Sequence, residues 1–388
     1  MAKATSTRAR YHEARVFFAS DDDWAVLARS LSLVPYRPSA GYGHRASFRQ
    51  LKRALGAPAA SPPSVEHWLY GHRGGSEVLV VVYSTGSGKN RTTWTACVTR
   101  IDPPLLLGVD VSSQSALFGL FGGSDIQLGL PNVDGALELH AADPQRLRQL
   151  LWPTDATGQH LLATLMSGGN VRVTDSAVRF TLRGIEAAPH VIARQLEAGA
   201  WIGKTLAARR HELGPTQAEL AQQVVWRAAA DGLHLRFDAA RMRLEGELAG
   251  AGVEIALETD GGAFTAVTCR FPRSIGVNVR LRRAGALHFL DGLLDQDIRV
   301  GDPAFDGLYV VQGYPEPAVR QVLSNGPLRF ALSNLAARAD EVTMNDMGLF
   351  FRMRGVHGTE PELSGLLSFV RHVVGTIFGE VQSLGPYR

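Results

Sequence analysis

Two cysteines in 388 residues argue against a disulfide framework, and Cys97 and Cys269 both fall in apolar, Thr-rich stretches where a reduced, buried thiol is expected. No apolar run approaches the roughly 20 residues of a membrane-spanning helix. The richest one, Glu362–Leu384, is interrupted by Arg371 and His372. Arg8, Arg10 and Arg15 lead only into the short run Val16–Ala19, far below the apolar core of a secretory signal. A cytoplasmic address is the simplest expectation. Charge of one sign is scarce as well: 40 Lys/Arg against 37 Asp/Glu leave +3, too little to demand a polyanionic partner. The surplus sits in residues 1–60, with ten basic and four acidic side chains. A basic amino-terminal arm suits nucleic acid or anionic lipid, although a solvated tail is the commoner explanation, and nucleic acid is not the expected partner.

The motifs that announce chemistry are missing too. Twelve histidines include no HExxH and no Cys/His cluster, and His211-Glu-Leu lacks a second ligand. There is no Gly-x-Ser-x-Gly elbow and no dinucleotide-binding glycine fingerprint. No catalytic, cofactor-binding or metal-ligating residue is therefore assigned, and no cofactor is implied.

What the chain does contain, it contains twice. Asp125, Ile126, Gly129, Pro131, Asp134, Gly135, Arg148, Gln149 and Leu151 recur 172 positions later as Asp297, Ile298, Gly301, Pro303, Asp306, Gly307, Arg320, Gln321 and Leu323. Each stretch reads as a strand opened by Asp-Ile, a Gly-x-Pro-x-x-Asp-Gly turn, a second strand and a helix. Further echoes are Leu69-Tyr-Gly with Leu244-Glu-Gly, Trp94-Thr-Ala with Phe264-Thr-Ala, Leu107-Gly-Val-Asp-Val111 with Ile275-Gly-Val-Asn-Val279, and Val171–Gly184 with Val342–Gly355. Offsets of 175, 168, 172 and 171 fit small insertions and deletions in loops.

The expected organisation is a basic arm at 1–19, repeat one at 20–210 and repeat two at 214–388. Repeat one opens with Ser20 or Asp21 as cap of a helix over Trp24–Leu33, and repeat two with Thr216-Gln-Ala-Glu219 at the spacing of a capping box. Strands follow near 66–72, 77–85, 92–101 and 105–112, matched by 241–248, 252–259, 263–270 and 275–282. The closing helices align Ile192, Leu196, Gly199, Ile202 and Leu206 in one copy, and Leu363, Leu367, Val370, Val373 and Ile377 in the other. Consecutive strands joined by short turns, with helices on one face, make the class α+β: two tandem copies of an antiparallel sheet. Repeat one holds an extra segment, 36–65, ending in the Pro/Ala/Ser-rich stretch Ala57–Ser64. Its strand Val78–Tyr83 is apolar on both sides, so Leu79, Val81 and Tyr83 are expected to be buried, with that segment as the cover.

The opening helix, Gly86-Ser-Gly-Lys89 before a Thr-rich strand, and Asp297-Ile-x-Val-Gly-Asp-Pro-x-Phe-Asp306 before a helix resemble an uncharacterised bacterial family, a domain of unknown function, here in tandem. Asp297–Tyr314 carries the resemblance most closely. Repeat one departs from it, with Leu130 and Val133 where repeat two has Asp302 and Phe305. The resemblance implies the fold and carries no activity or functional residue.

Three motifs invite a chemical role. Gly86-Ser-Gly-Lys89 is not a phosphate loop, because Tyr83 takes the first-glycine position, Asn90 follows the lysine and strands flank both sides. Asp302 and Asp306 could act as paired acids, yet only Asp134 is retained in repeat one, and Asp beside Pro and Gly is ordinary turn chemistry. Arg280, Arg282 and Arg283 form a basic cluster that reads as a solvated face. The residues common to both copies are those that folding requires. The expectation is a non-enzymatic module that binds another protein; the alternatives are a ligand-binding protein or enzyme with a pocket within or between the repeats, and nucleic-acid binding through the arm.

Overall fold

The computed structural model describes residues 21–35, 65–85, 91–113, 125–167, 170–186, 188–277, 279–284 and 298–378. Helix α1 (Asp21–Leu31) buries Trp24, Leu27, Ala28 and Leu31, the stripe that faces a core. Ser32, at φ 56°, turns the chain so that the Leu33 N–H reaches the Ala28 carbonyl (2.8 Å). The expected helix thus ends two residues early. Strands β1 (Val34–Pro35), β2 (Val65–Arg73), β3 (Ser76–Thr85), β4 (Thr92–Arg100) and β5 (Asp110–Ser113) follow, then the single turn α2 (Pro131–Asp134) and β6 (Leu137–His140). Helices α3 (Pro144–Leu151) and α4 (Ala156–Ser167) precede β7 (Asn170–Thr174), β8 (Ala177–Arg183) and the closing helix α5 (Pro189–Leu213).

Repeat two runs through α6 (Gln217–Leu233), β9 (Arg236–Asp238), β10 (Arg243–Leu248), β11 (Ala251–Glu258), β12 (Phe264–Arg270), β13 (Arg280–Arg283), α7 (Pro303–Asp306), β14 (Tyr309–Gln312), α8 (Glu316–Leu323), α9 (Gly326–Arg338), β15 (Glu341–Asn345), β16 (Gly348–Arg354) and α10 (Glu360–Phe378). Its sheet has the order β9-β10-β11-β12-β16-β15-β13-β14, and the first has β1-β2-β3-β4-β8-β7-β5-β6. The two orders are identical, and neighbouring strands pair antiparallel, for example β4 with β8 and β12 with β16. The fold is α+β, with one apolar core in each repeat between helices and one sheet face. The closing helices bury the stripes expected of them, from Ile192 to Leu206 in α5 and from Leu363 to Val373 in α10, with Ile377 partly buried. Thr216 and Glu219 form the capping box. Ser20 lies outside the described residues.

Backbone hydrogen bonds correct the correspondence between the copies. Ile101 and Leu105 donate to the Ser176 and Asp175 carbonyls; Phe271 and Ile275 donate to Met347 and Asp346. Leu105, not Leu107, is therefore the counterpart of Ile275, an offset of 170 rather than 168. The strand expected at 105–112 begins only at Asp110, and its partner at 275–282 only at Arg280. The residues before them bend around a carboxylate, the buried Asp175 in repeat one and the half-buried Asp346 in repeat two, which the apolar pattern conceals. The strand expected from Asp125 is likewise missing: the Ile126 N–H bonds the Leu139 carbonyl (2.9 Å), and the chain then enters α2. One further correspondence escaped the sequence comparison. Trp24, Ala28 and Leu33 answer to Trp226, Ala230 and Leu235, all buried and 202 residues apart, against 175 for Leu69 and Leu244. Repeat one thus carries 27 more residues between its opening helix and second strand, where the extra segment was expected.

Leu79, Val81 and Tyr83 are buried on the face turned away from the helices, in a small cluster with Tyr70, Ala96 and Val98. Their counterparts on β11 are Glu254, Ala256 and Glu258, which are buried too. The extra segment at 36–64 lies outside the described residues.

Candidate functional site

The acids that the sequence offers as chemistry hold backbone in place. Asp134 accepts from Leu128 N (2.7 Å) and Gly129 N (2.9 Å), and Asp306 from Val300 N (2.9 Å) and Gly301 N (3.2 Å). Asp302 caps α7 by accepting from Ala304 N and Phe305 N; Leu130 provides no such cap in repeat one. Asp302 and Asp306 are thus two separate devices, a helix cap and a turn clamp, as the turn reading of the sequence expects. Arg148 braces the neighbouring loop through the Gln127 carbonyl (2.9 Å), whereas Arg320 pairs with Glu316 on its own helix (2.7 Å). Burial pushes the Cys97 and Cys269 thiols each up to about 12, so neither is a ready nucleophile. His211 is exposed near the end of α5. Residues 86–90 of the Gly-Ser-Gly-Lys motif lie outside the described residues; β3 and β4 pair on either side of them, Thr85 opposite Thr92. Among the described residues no group of His, Cys, Asp and Glu is placed to hold a metal ion, and no helix is long and apolar enough to cross a membrane.

The richest convergence of polar groups is the joint between the repeats. Repeat one contributes its β4–β5 connection and its β7–β8 turn. Asp102 forks with Arg241 of repeat two, Oδ1 to Nε at 2.8 Å and Oδ2 to Nη2 at 2.9 Å, and Arg241 also holds Asp238 (2.7 Å). Burial alone would raise the Asp102 carboxyl, but the hydrogen bond from Arg241 and the charges of Arg100, Arg241 and Arg243 outweigh it and hold it below the ordinary range. Asp175 accepts from Leu107 N (3.0 Å), Gly108 N (2.6 Å) and Val109 N (3.1 Å), and also from the Thr259 hydroxyl across the joint. Burial pushes its carboxyl up, against the pull of those four donors. Ser176 donates to Asp260 beside it. Leu106 packs against the core of repeat two. It does so at φ 56°, a left-handed conformation unfavourable for a branched side chain. Its counterpart in repeat two is Gly276, φ 84°, which takes the same conformation without strain.

A cleft of about 760 Å³ lies along this joint, between the β5–β6–β7 wall of repeat one and the Thr259–Ala263 turn of repeat two. Its charges are engaged with one another. Arg172 grips Asp110 through both carboxylate oxygens (2.8 and 2.5 Å), and Arg352 donates to the Asp260 carbonyl (3.0 Å) and lies 3.4 Å from the Phe264 ring centre.

The contact is heterologous, one surface of repeat one against a different surface of repeat two. Among the described residues, the surface of repeat two that corresponds to the docked face of repeat one meets no part of repeat one. There Met347 stands for Ser176, Tyr314 for Ala142, Gly276 for Leu106 and Arg280 for Asp110. Backbone bonds Phe271 N to Met347 O (2.9 Å) and Tyr314 N to Val277 O (3.2 Å) draw these together at one end of the sheet. Tyr314 is 78% exposed and Met347 42%. Arg280 and Arg282, from the basic cluster, are exposed on the adjoining wall, and Arg283 turns away to donate to the Ala339 carbonyl. Sequence reasoning missed this site, because its residues are remarkable only for where their counterparts lie.

Comparison with models of protein families, with curated proteins and with solved structures finds no match to this chain.

Proposed function

We propose that this chain is a protein-interaction module that binds rather than catalyses, and that its binding surface is the open face of repeat two around Tyr314 and Met347. One observation carries this reading. The same face of the same fold is already a protein-docking surface in repeat one, where it seats repeat two. On repeat two the face is offered to solvent with two large apolar side chains at its rim, and exposed apolar groups framed by polar ones are what a partner surface needs. The employment of Asp134, Asp302 and Asp306 in turns and caps supports the non-enzymatic part.

A second reading, small-molecule binding, would use the cleft at the joint, whose volume falls within the range of roughly 300–1,000 Å³ usual for ligand pockets. The pairing of Arg172 with Asp110 and of Arg352 with its neighbours already engages the arginines of that cleft in the joint. Nucleic-acid binding rests on the amino-terminal arm, which lies outside the described residues.

The test is photo-crosslinking in native lysate with benzoylphenylalanine placed at Tyr314 or, as a control of similar exposure, at Phe330 on α9 (71%). A discrete adduct formed at 314, absent at 330 and lost on Met347→Asp, is the expected result. Identical adduct patterns at both sites, or none at 314, would overturn the proposal.

A further inference from the structure

We infer that the partner of this face presents an acidic turn, the tip of a β-hairpin or an equivalent loop, to the β14–β13–β15 wall of repeat two. The inference rests on the reading above and names the chemistry of the partner.

The joint supplies the template. On repeat one the corresponding wall faces the turn Thr259-Asp-Gly-Gly-Ala263 of repeat two, whose one charged side chain is Asp260. The strand register then shows how the wall differs between the copies. On β5, Asp110 lies opposite His140 and Thr174; on β13, Arg280 lies opposite Gln312 and Asn345. One position along, Ser112 lies opposite Glu138 and Arg172, and Arg282 opposite Val310 and Thr343. The two carboxylates of the first wall are replaced by an arginine and a valine, and its serine by a second arginine. Arg280 is exposed and makes no ion pair among the described residues, with the neutral donors Gln312 and Asn345 on either side. Among the described residues, no ion pair joins Arg280 to the acids nearest in register. Asp346 accepts from Val279 N (2.8 Å) and Ser274 Oγ (3.2 Å) at the rim, and Glu341 stands at the far end, opposite Arg352. A guanidinium between two neutral hydrogen-bonding side chains selects a carboxylate, and selects it as a planar, two-pronged contact. Tyr314 and Met347 supply the apolar rim that a docked turn would cover.

The test uses the full chain and two fluorescent cyclic hairpin peptides with one backbone, tipped Glu-Asp-Gly-Gly or Lys-Lys-Gly-Gly, read by fluorescence anisotropy. The acidic peptide is expected to bind and the basic one not. Its Kd should rise about tenfold or more with Arg280→Glu, as for loss of a charged contact, and rise with salt. Circular dichroism checks that each variant is folded. Equal binding of both peptides, abolished by Tyr314→Ser, overturns the acidic preference and leaves the docking face standing. Failure of both peptides while the Tyr314 adduct forms overturns the inference alone. Failure of both together with loss of the adduct overturns the proposed function as well.

Discussion

Repeat one and repeat two share a strand order, a buried tryptophan on the opening helix and a carboxylate at the β-turn before the last strand, yet they differ at the surface by which repeat one docks. Where repeat one has Leu106, strained and plugged into its neighbour, repeat two has an unstrained Gly276. Where repeat one has Ser176 and Ala142, repeat two has the exposed Met347 and Tyr314. Folding imposes the same demands on both copies, so the shared residues report the fold. Docking imposes a demand on one surface of each, and because the contact is heterologous the two surfaces are free to diverge. In chain order the extra 27 residues of repeat one fall between its first two strands, where repeat two has the short β9–β10 turn, Asp238 to Arg243, with which it meets repeat one.

Replacing the two equivalent carboxylates gives the largest expected contrast. Asp175→Ala leaves three backbone N–H groups and the Thr259 hydroxyl without their acceptor, and should destabilise the chain by about 2–3 kcal/mol. Asp346→Ala removes the bonds from Val279 N and Ser274 Oγ, among the described residues, at a half-exposed site that water can reach, so a smaller loss is expected. Urea unfolding measures both, and equal losses would break the contrast.

Exchange at the strained position should give opposite outcomes in the two copies. Gly276→Leu forces a branched side chain into left-handed backbone with no core to enter, at about 1–2 kcal/mol. Leu106→Gly removes that strain but also the contact across the joint, so that net stability changes by less than about 1 kcal/mol while the repeats dissociate more readily. Limited proteolysis of the 213–216 link should then speed up for Leu106→Gly and not for Gly276→Leu.

Acid provides the smallest and most local probe. The folded-state pKa of Asp102 is depressed, so its contribution is complete above the unfolded value near 3.9 and disappears as pH falls through the lower folded value. The side chain is about a third exposed, so screening keeps the effect below about 1 kcal/mol. Fluorescence energy transfer between dyes on the two repeats should fall below about pH 4 in the wild type. In Asp102→Asn this step should be missing.

The amino-acid sequence by itself determined that this is one α+β fold made twice. Gly-x-Pro-x-x-Asp-Gly turns and helix stripes of three-and-four spacing are local signals, and they were sound: Asp134 and Asp306 pin the turns, the stripes of α5 and α10 are buried, and Thr216 and Glu219 form their capping box. The 168-residue register at Leu107 and Ile275 failed because similarity of Leu-Gly-Val to Ile-Gly-Val is a statement about composition. The true register is set by which amides reach Asp175 and Asp346, side chains nearly 70 residues away along the chain. Only the tertiary structure decided that the two copies meet heterologously, since no local pattern states which surface of one sheet seats the other. It alone showed that Tyr314 and Met347 stand exposed where their counterparts Ala142 and Ser176 face the other repeat. A surface residue acquires a role from what its counterpart touches, and that contact exists only once both repeats have folded and docked.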